Sequence, residues 1–163
     1  MSPQQSPSQI QVWITGTPCL VCESLALLLD HTTDSTVIGQ VIPVDKLFQA
    51  DCPLQLCPDL ILVDVDTSNG IDLSLTEAIK QQFPAVPTLV LITCTRPDLL
   101  QQLMQLDIQA CLSKEVGGNE LVTTIKLLKN GGGGRKSCLP PSFTRWPRRT
   151  PPYLLTSLLP VKC

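Results

Sequence analysis

The chain has 163 residues, enough for one domain around a single substantial core with an appendage. Hydrophobic residues make up 43% of it and mean hydropathy is +0.19, which argues against a disordered chain; the longest apolar runs, such as 25–29 and 88–92, are far too short to span a bilayer. The net charge of −2 conceals a split. Residues 1–134 hold six Lys/Arg against fourteen Asp/Glu, a net of −8, whereas residues 135–163 hold six Lys/Arg and no acid, a net of +6.

Residues 1–9 are Pro/Gln/Ser-rich and lack the basic and apolar regions of a signal peptide, so a disordered N-terminus and a cytoplasmic location are expected. The run 10–15 (IQVWIT) suits a buried strand, broken by Gly16, Thr17 and Pro18. Leu20, Ser24, Leu25 and Leu27 to Leu29 carry a helix to about residue 31. Residues 36–42 (TVIGQVI) read as a second strand stopped by Pro43, and a short helix over 44–50 places Leu47 and Phe48 inward. Residues 60–65 (LILVDV) are apolar on both faces, as a central strand of a parallel sheet must be when helices cover each side. This strand runs out into Asp64, Asp66, Thr67, Ser68, Asn69 and Gly70. A helix over 73–82 ends at Phe83-Pro84, and 86–93 (VPTLVLIT) is another two-faced strand. A helix over 98–106, a brief strand at 109–113 and a final helix capped by Asn119 complete the pattern, with Leu121, Ile125, Leu127 and Leu128 inward.

Strands alternating with helices over about 120 residues predict an α/β fold, an open five-stranded parallel sheet with helices on both faces. An active site is then expected outside the carboxyl ends of the strands, where Asp64, Thr93 and Lys114 bring a carboxylate, a hydroxyl and an ammonium to one rim. After Gly131 the periodicity stops: four glycines lead into a basic stretch with six prolines, read as a separate, disordered or loosely docked tail over 131–163.

The segments PDLILVDVDTSNGIDL, FPAVPTLVLIT, ACLSKE and GGNELVTTIKLLKNGGG resemble the receiver domain of bacterial two-component response regulators, over roughly residues 10–134. The resemblance implies the receiver/flavodoxin-like strand order 2-1-3-4-5 and a phosphorelay signalling module with no catalytic turnover of its own. It places Asp64 as phosphoacceptor, Thr93 and Lys114 as phosphate-contacting residues, and Cys111 at the switch position, where the family carries Tyr or Phe. A carboxylate can be the nucleophile in phosphoryl transfer, and a cation with a hydrogen-bond donor stabilises the charge spread over the transferring oxygens. The family also implies Mg²⁺ held by two acids at the end of the first strand. Here Thr15, Gly16 and Thr17 stand there, which leaves Asp64 and Asp66 as a weak set of carboxylate ligands. The expected protein is therefore an atypical, or pseudo-, receiver that takes a phosphoryl group on Asp64 or docks a partner without phosphorylation. A histidine kinase or other signalling protein is the implied partner, with room for a homodimer. The four-glycine linker and LPPSFTR (139–145) resemble the junction into a LuxR-type output domain. No such domain follows, so a transcriptional regulator lacking its DNA-binding part is a further reading, and neither nucleic acid nor membrane is an expected partner.

Eight cysteines and one histidine, His31, invite other chemistry. Cys94 and Cys111 sit in apolar runs and read as small core residues. Cys52 and Cys57 have a spacing at the loose edge of zinc patterns. Cys19-Leu20-Val21-Cys22, opening a helix, with Val86-Pro87-Thr88 later, resembles thioredoxin-like thiol-disulfide oxidoreductases. In that fold the strand after the proline runs into an antiparallel hairpin, which separates the two readings.

Overall fold

The computed structural model describes residues 9–16, 19–31, 37–49, 58–67, 70, 72–93, 96–130 and 144–145. Its elements in chain order are β1 (Ile10–Gly16), α1 (Cys19–His31), β2 (Val37–Val41), α2 (Val44–Leu47), β3 (Leu60–Val65), α3 (Ser74–Gln82), β4 (Thr88–Ile92), α4 (Pro97–Gln105), β5 (Ala110–Ser113), α5 (Gly118–Lys129) and β6 (Thr144–Arg145). The five expected strands are parallel and lie in the order β2-β1-β3-β4-β5. A sixth, the two-residue β6, pairs antiparallel with the outer edge of β5, Arg145 opposite Ala110 and Thr144 opposite Cys111. The tail therefore contributes a strand that its composition did not announce.

The alternation of side chains along each strand builds two cores, one on each face. Leu60 and Leu62 join Ile10, Val12, Ile14, Leu89, Leu91, Ala110 and Leu112 beneath α1 and α5. Ile61, Val63 and Val65 join Trp13, Val90, Ile92 and Cys111 beneath the helices of the opposite face, with Leu47, Ile79, Leu99 and Leu103. Leu60, Ile61, Leu62 and Val63 have no exposure at all, so each such side chain contributes roughly 1.5–3 kcal/mol relative to an exposed one. Trp13 closes its layer with an edge-to-face contact to Phe83, ring centroids 5.9 Å apart.

Local details correct the reading of the sequence in three places. The helix after β2 is a single turn, Val44–Leu47, so Leu47 is buried while Phe48 is 40% exposed. Asn119 does not cap the last helix: Gly117 holds the extended cap position and Asn119 lies within the first turn, exposed. In α5 the inward residues are Leu121, Val122, Thr124, Ile125 and Leu128, whereas Leu127 is only partly covered. Between α4 and β5, Asp107 adopts φ 54°, a conformation that Asp tolerates better than most residues. Gln109 ties this turn to the start of β4 by donating to the Asp107 carbonyl and accepting from the Thr88 N–H.

Candidate phosphoacceptor site

β3 carries Asp64 to the carboxyl end of the sheet's interior, where its side chain is entirely covered. Lys114 follows β5 directly. Its backbone N–H donates to the Ile92 carbonyl at 2.9 Å, which pins the turn against the end of β4. From there the ammonium reaches to 2.7 Å from Oδ1 of Asp64. The contact is one of charge and distance, for neither carboxylate oxygen has a hydrogen-bond partner of good geometry among the described residues. Thr93 lies at the same end, just past β4, and is exposed without a hydrogen bond to the carboxylate. The fold thus brings Asp64 and Lys114 into contact and leaves Thr93 on the rim beside them.

Gly16 is the strand partner of Asp64 in the β1–β3 ladder. A Cβ built on Gly16 would lie 2.6 Å from the Asp64 carbonyl oxygen and 2.8 Å from the Asp64 Cβ, and the backbone there has φ +154°. Both facts require glycine. Thr15, the preceding residue, is 1% exposed, and its hydroxyl has no partner among the described residues. Asp66 is exposed, two residues beyond Asp64.

This donor set does not fit a divalent cation. Hard cations of the Mg²⁺ type require several oxygen ligands in near-octahedral order, with carboxylates supplying the charge. Here the ammonium of Lys114 already faces one oxygen of Asp64, and glycine and a threonine flank it. No group of three His, Cys, Asp or Glu side chains able to hold a metal occurs among the described residues.

Cys111 points into the core of the opposite face, 4% exposed, and burial pushes its thiol up from 9.0 to about 12. Cys22 is buried on α1. The Cys19 side chain, Cys52, Cys57 and Cys94 lie outside the described residues, as do Thr17 and most of the basic tail.

The topology settles the choice between the two folds. β4 runs into α4, another parallel strand and α5, with no hairpin after Pro87, so the thioredoxin-like alternative falls. The fold is that of response-regulator receiver domains. Over 83% of the chain it superposes on the isolated receiver domain of RcsB from Salmonella enterica serovar Typhimurium, solved with phosphomimetic BeF₃⁻, at a TM-score of 0.60 and 21% identity, covering 96% of that domain. A CheY-like receiver domain protein from Methanospirillum hungatei JF-1 gives a TM-score of 0.61 at 13% identity over 76% of this chain and 96% of that one. In sequence, the chain is 27% identical over 137 residues to the transcriptional regulatory protein LnrK of Bacillus subtilis (strain 168), covering 83% of this chain and 59% of LnrK. It therefore spans about three-fifths of the length of that relative. No family model matches it.

The rim was readable in the sequence, whereas the packing of β1 against Asp64 was not. Asp64, Thr93 and Lys114 each terminate an apolar strand, a pattern visible in one dimension. The close approach of Gly16 to Asp64 depends on the backbone path of β1. Its one sequence signal is Gly16 at the end of the first strand.

Proposed function

We propose that the chain is an atypical receiver module of two-component signalling, with Asp64 as its phosphoryl acceptor and Lys114 as the cation that meets the transferred group. The observation that carries this reading is the 2.7 Å contact between Lys114 and a fully covered Asp64 at the carboxyl end of the parallel sheet. In the transfer, a carboxylate oxygen of Asp64 forms a bond to phosphorus, the bond from phosphorus to the donor's imidazole or acyl oxygen breaks, and the leaving group takes the electron pair. Lys114 stabilises the negative charge on the equatorial oxygens, and Thr93 supplies a hydroxyl from the rim. A histidine kinase is the proposed donor and the cytoplasm the proposed setting, with no catalytic turnover beyond this transfer. No helix among the described residues is long and apolar enough to cross a membrane.

A second reading has its own support. Gly16 and Thr15 stand where acids would hold a metal, which favours a module that docks a signalling partner, or a second copy of itself, without phosphorylation. Incubation with acetyl phosphate, with and without Mg²⁺, followed by intact-mass measurement separates the two. An adduct of one phosphoryl group that disappears in Asp64→Asn supports the acceptor reading. Its absence under conditions that modify an ordinary receiver leaves the docking reading.

A further inference from the structure

α1 is apolar on most of its circumference, the pattern of a helix covered all round, yet the structure covers it on one side only. Cys22 and Leu29 enter the core beneath it. Leu20 and Leu27, two turns apart on the outer side, are 72% and 59% exposed. Between them the Ser24 hydroxyl donates to the Leu20 carbonyl, so it asks for no outside partner. Leu28, half-exposed, lies against Gly118 and continues the apolar ridge towards α5. The charged groups of α1 are Glu23, Asp30 and His31, all exposed, and it has no Lys or Arg. Three of the four large hydrophobic residues that stand exposed among the described residues lie on this one helix. An apolar ridge edged by acids is the mark of a docking surface.

We propose that the outer side of α1 docks residues 153–160 of the same chain, YLLTSLLP. Residues 146–163 lie outside the described residues, but their sequence complements the ridge. Leu154, Leu155, Leu158 and Leu159 recur at a spacing that gathers four side chains on one face of a helical turn. Arg148, Arg149 and Lys162 flank them with no acid, against the acids of α1. No other stretch outside the described residues carries paired leucines. The path is also short enough. β6 runs antiparallel to β5, so the chain leaves Arg145 towards the amino ends of the parallel strands, the end at which α1 finishes. In the order β1-β3-β4-β5-β6 the two outer strands are four spacings apart, about 19 Å across the sheet. The eight residues 146–153 reach about 26–29 Å when extended. Such a tether holds the leucines at an effective concentration on the order of millimolar, above that of a second copy in dilute solution. The contact requires no phosphorylation and stands apart from the proposed function.

The test places benzoylphenylalanine at position 27 of the full chain, irradiates it at micromolar concentration and maps the cross-linked peptides. The expected product is a monomer in which position 27 is joined to residues 150–162. Serine in place of Leu154, Leu155, Leu158 and Leu159 should abolish that product. In the chain without benzoylphenylalanine the same four changes should shift the amides of Glu23, Leu27 and His31 while those of β3 and β4 stay in place. Arg148→Glu together with Arg149→Glu should lower the yield at least about threefold at low salt and less at high salt, because the acids of α1 are exposed and screened. A product that joins two chains would give the ridge to a second copy and overturn the inference. So would the absence of any product with residues 150–162, a monomer product that survives the serine changes, or α1 amides indifferent to them.

Discussion

Gly16 and Asp64 face each other across the β1–β3 ladder at a distance that admits no side chain on Gly16. The position where the resemblance to receivers implies a metal-holding acid is closed by the backbone of Asp64, the proposed acceptor. The absence of a side chain at Gly16 and the close approach of the two strands go together.

Restoring the acid is therefore expected to damage the fold before it restores chemistry. Gly16→Asp forces a Cβ into the Asp64 backbone at a φ that side chains rarely adopt, and should cost at least about 2 kcal/mol. Urea unfolding measures this. A stability equal to wild type would show that β1 can shift away from β3 without penalty, and the closed geometry would lose its meaning.

Besides its proposed role towards phosphate, Lys114 is expected to stabilise the fold. Lys114→Met leaves the covered Asp64 carboxylate without a counter-charge, a change of about 3 kcal/mol at neutral pH by analogy with broken buried pairs. Asp64→Asn in the same background should recover most of that loss, because the amide carries no charge to compensate. A double variant as unstable as Lys114→Met alone would mean that the lysine acts through packing.

Asp59 ties the start of β3 to β1 and to the end of α5. Its carboxylate accepts from the Gln11 N–H at 2.9 Å and pairs with the Lys129 ammonium. Burial pushes the carboxyl up, but the bonds from Lys129 and Gln11 outweigh it and hold the group below its usual value of 3.8. A lowered folded value means that this stabilisation is present above about pH 4 and lost as pH falls through the folded value. Asp59→Asn should thus cost about 0.5–1 kcal/mol at pH 7 and progressively less as the carboxyl is protonated in acid, read from unfolding curves at pH 7 and at a pH well below the ordinary carboxylate value. An equal cost at both would assign the effect to shape instead of charge.

Cys111 titrates in the opposite sense. Its folded value of about 12 lies above the ordinary 9.0, so the unfolded chain loses the proton first. Stability should fall as pH rises from about 9 towards 12, by up to about 1.4 kcal/mol per pH unit. At pH 8 the thiol should resist iodoacetamide in the folded chain and react at once in urea, with Cys111 identified by peptide mass. Rapid labelling of the native protein would contradict its place in the core.

What the sequence disclosed follows from periodicity. Residues 60–65 were legible as a central strand because LILVDV is apolar at both parities, and Asp64 stood out as the one charge within it. The helix boundaries after β2 and before α5 were not, because they depend on backbone turns: Phe48 is apolar yet lies past the last turn of α2, and Gly117 caps α5 without any side-chain oxygen. Four residues of α1 show the same limit. Leu29 is 1% exposed, yet Leu20, Leu27 and Leu28 stand 72%, 59% and 37% in solvent, and leucine alone does not say which of them meets the sheet. The lysine contact needed the residue after β5 to reach across β4 to Asp64 near the end of β3, and only the strand-end positions hinted at it.

The short strand β6 has a consequence for how this domain could be shortened. Its two residues shield the outer rim of β5, whose N–H and C=O groups would otherwise be available to any extended chain. A fragment ending after α5 would keep both cores and still present that bare rim. Such a fragment should self-associate more readily than the whole chain, with the pairing of Thr144 and Arg145 acting as the guard that keeps neighbouring molecules from adding themselves to the sheet.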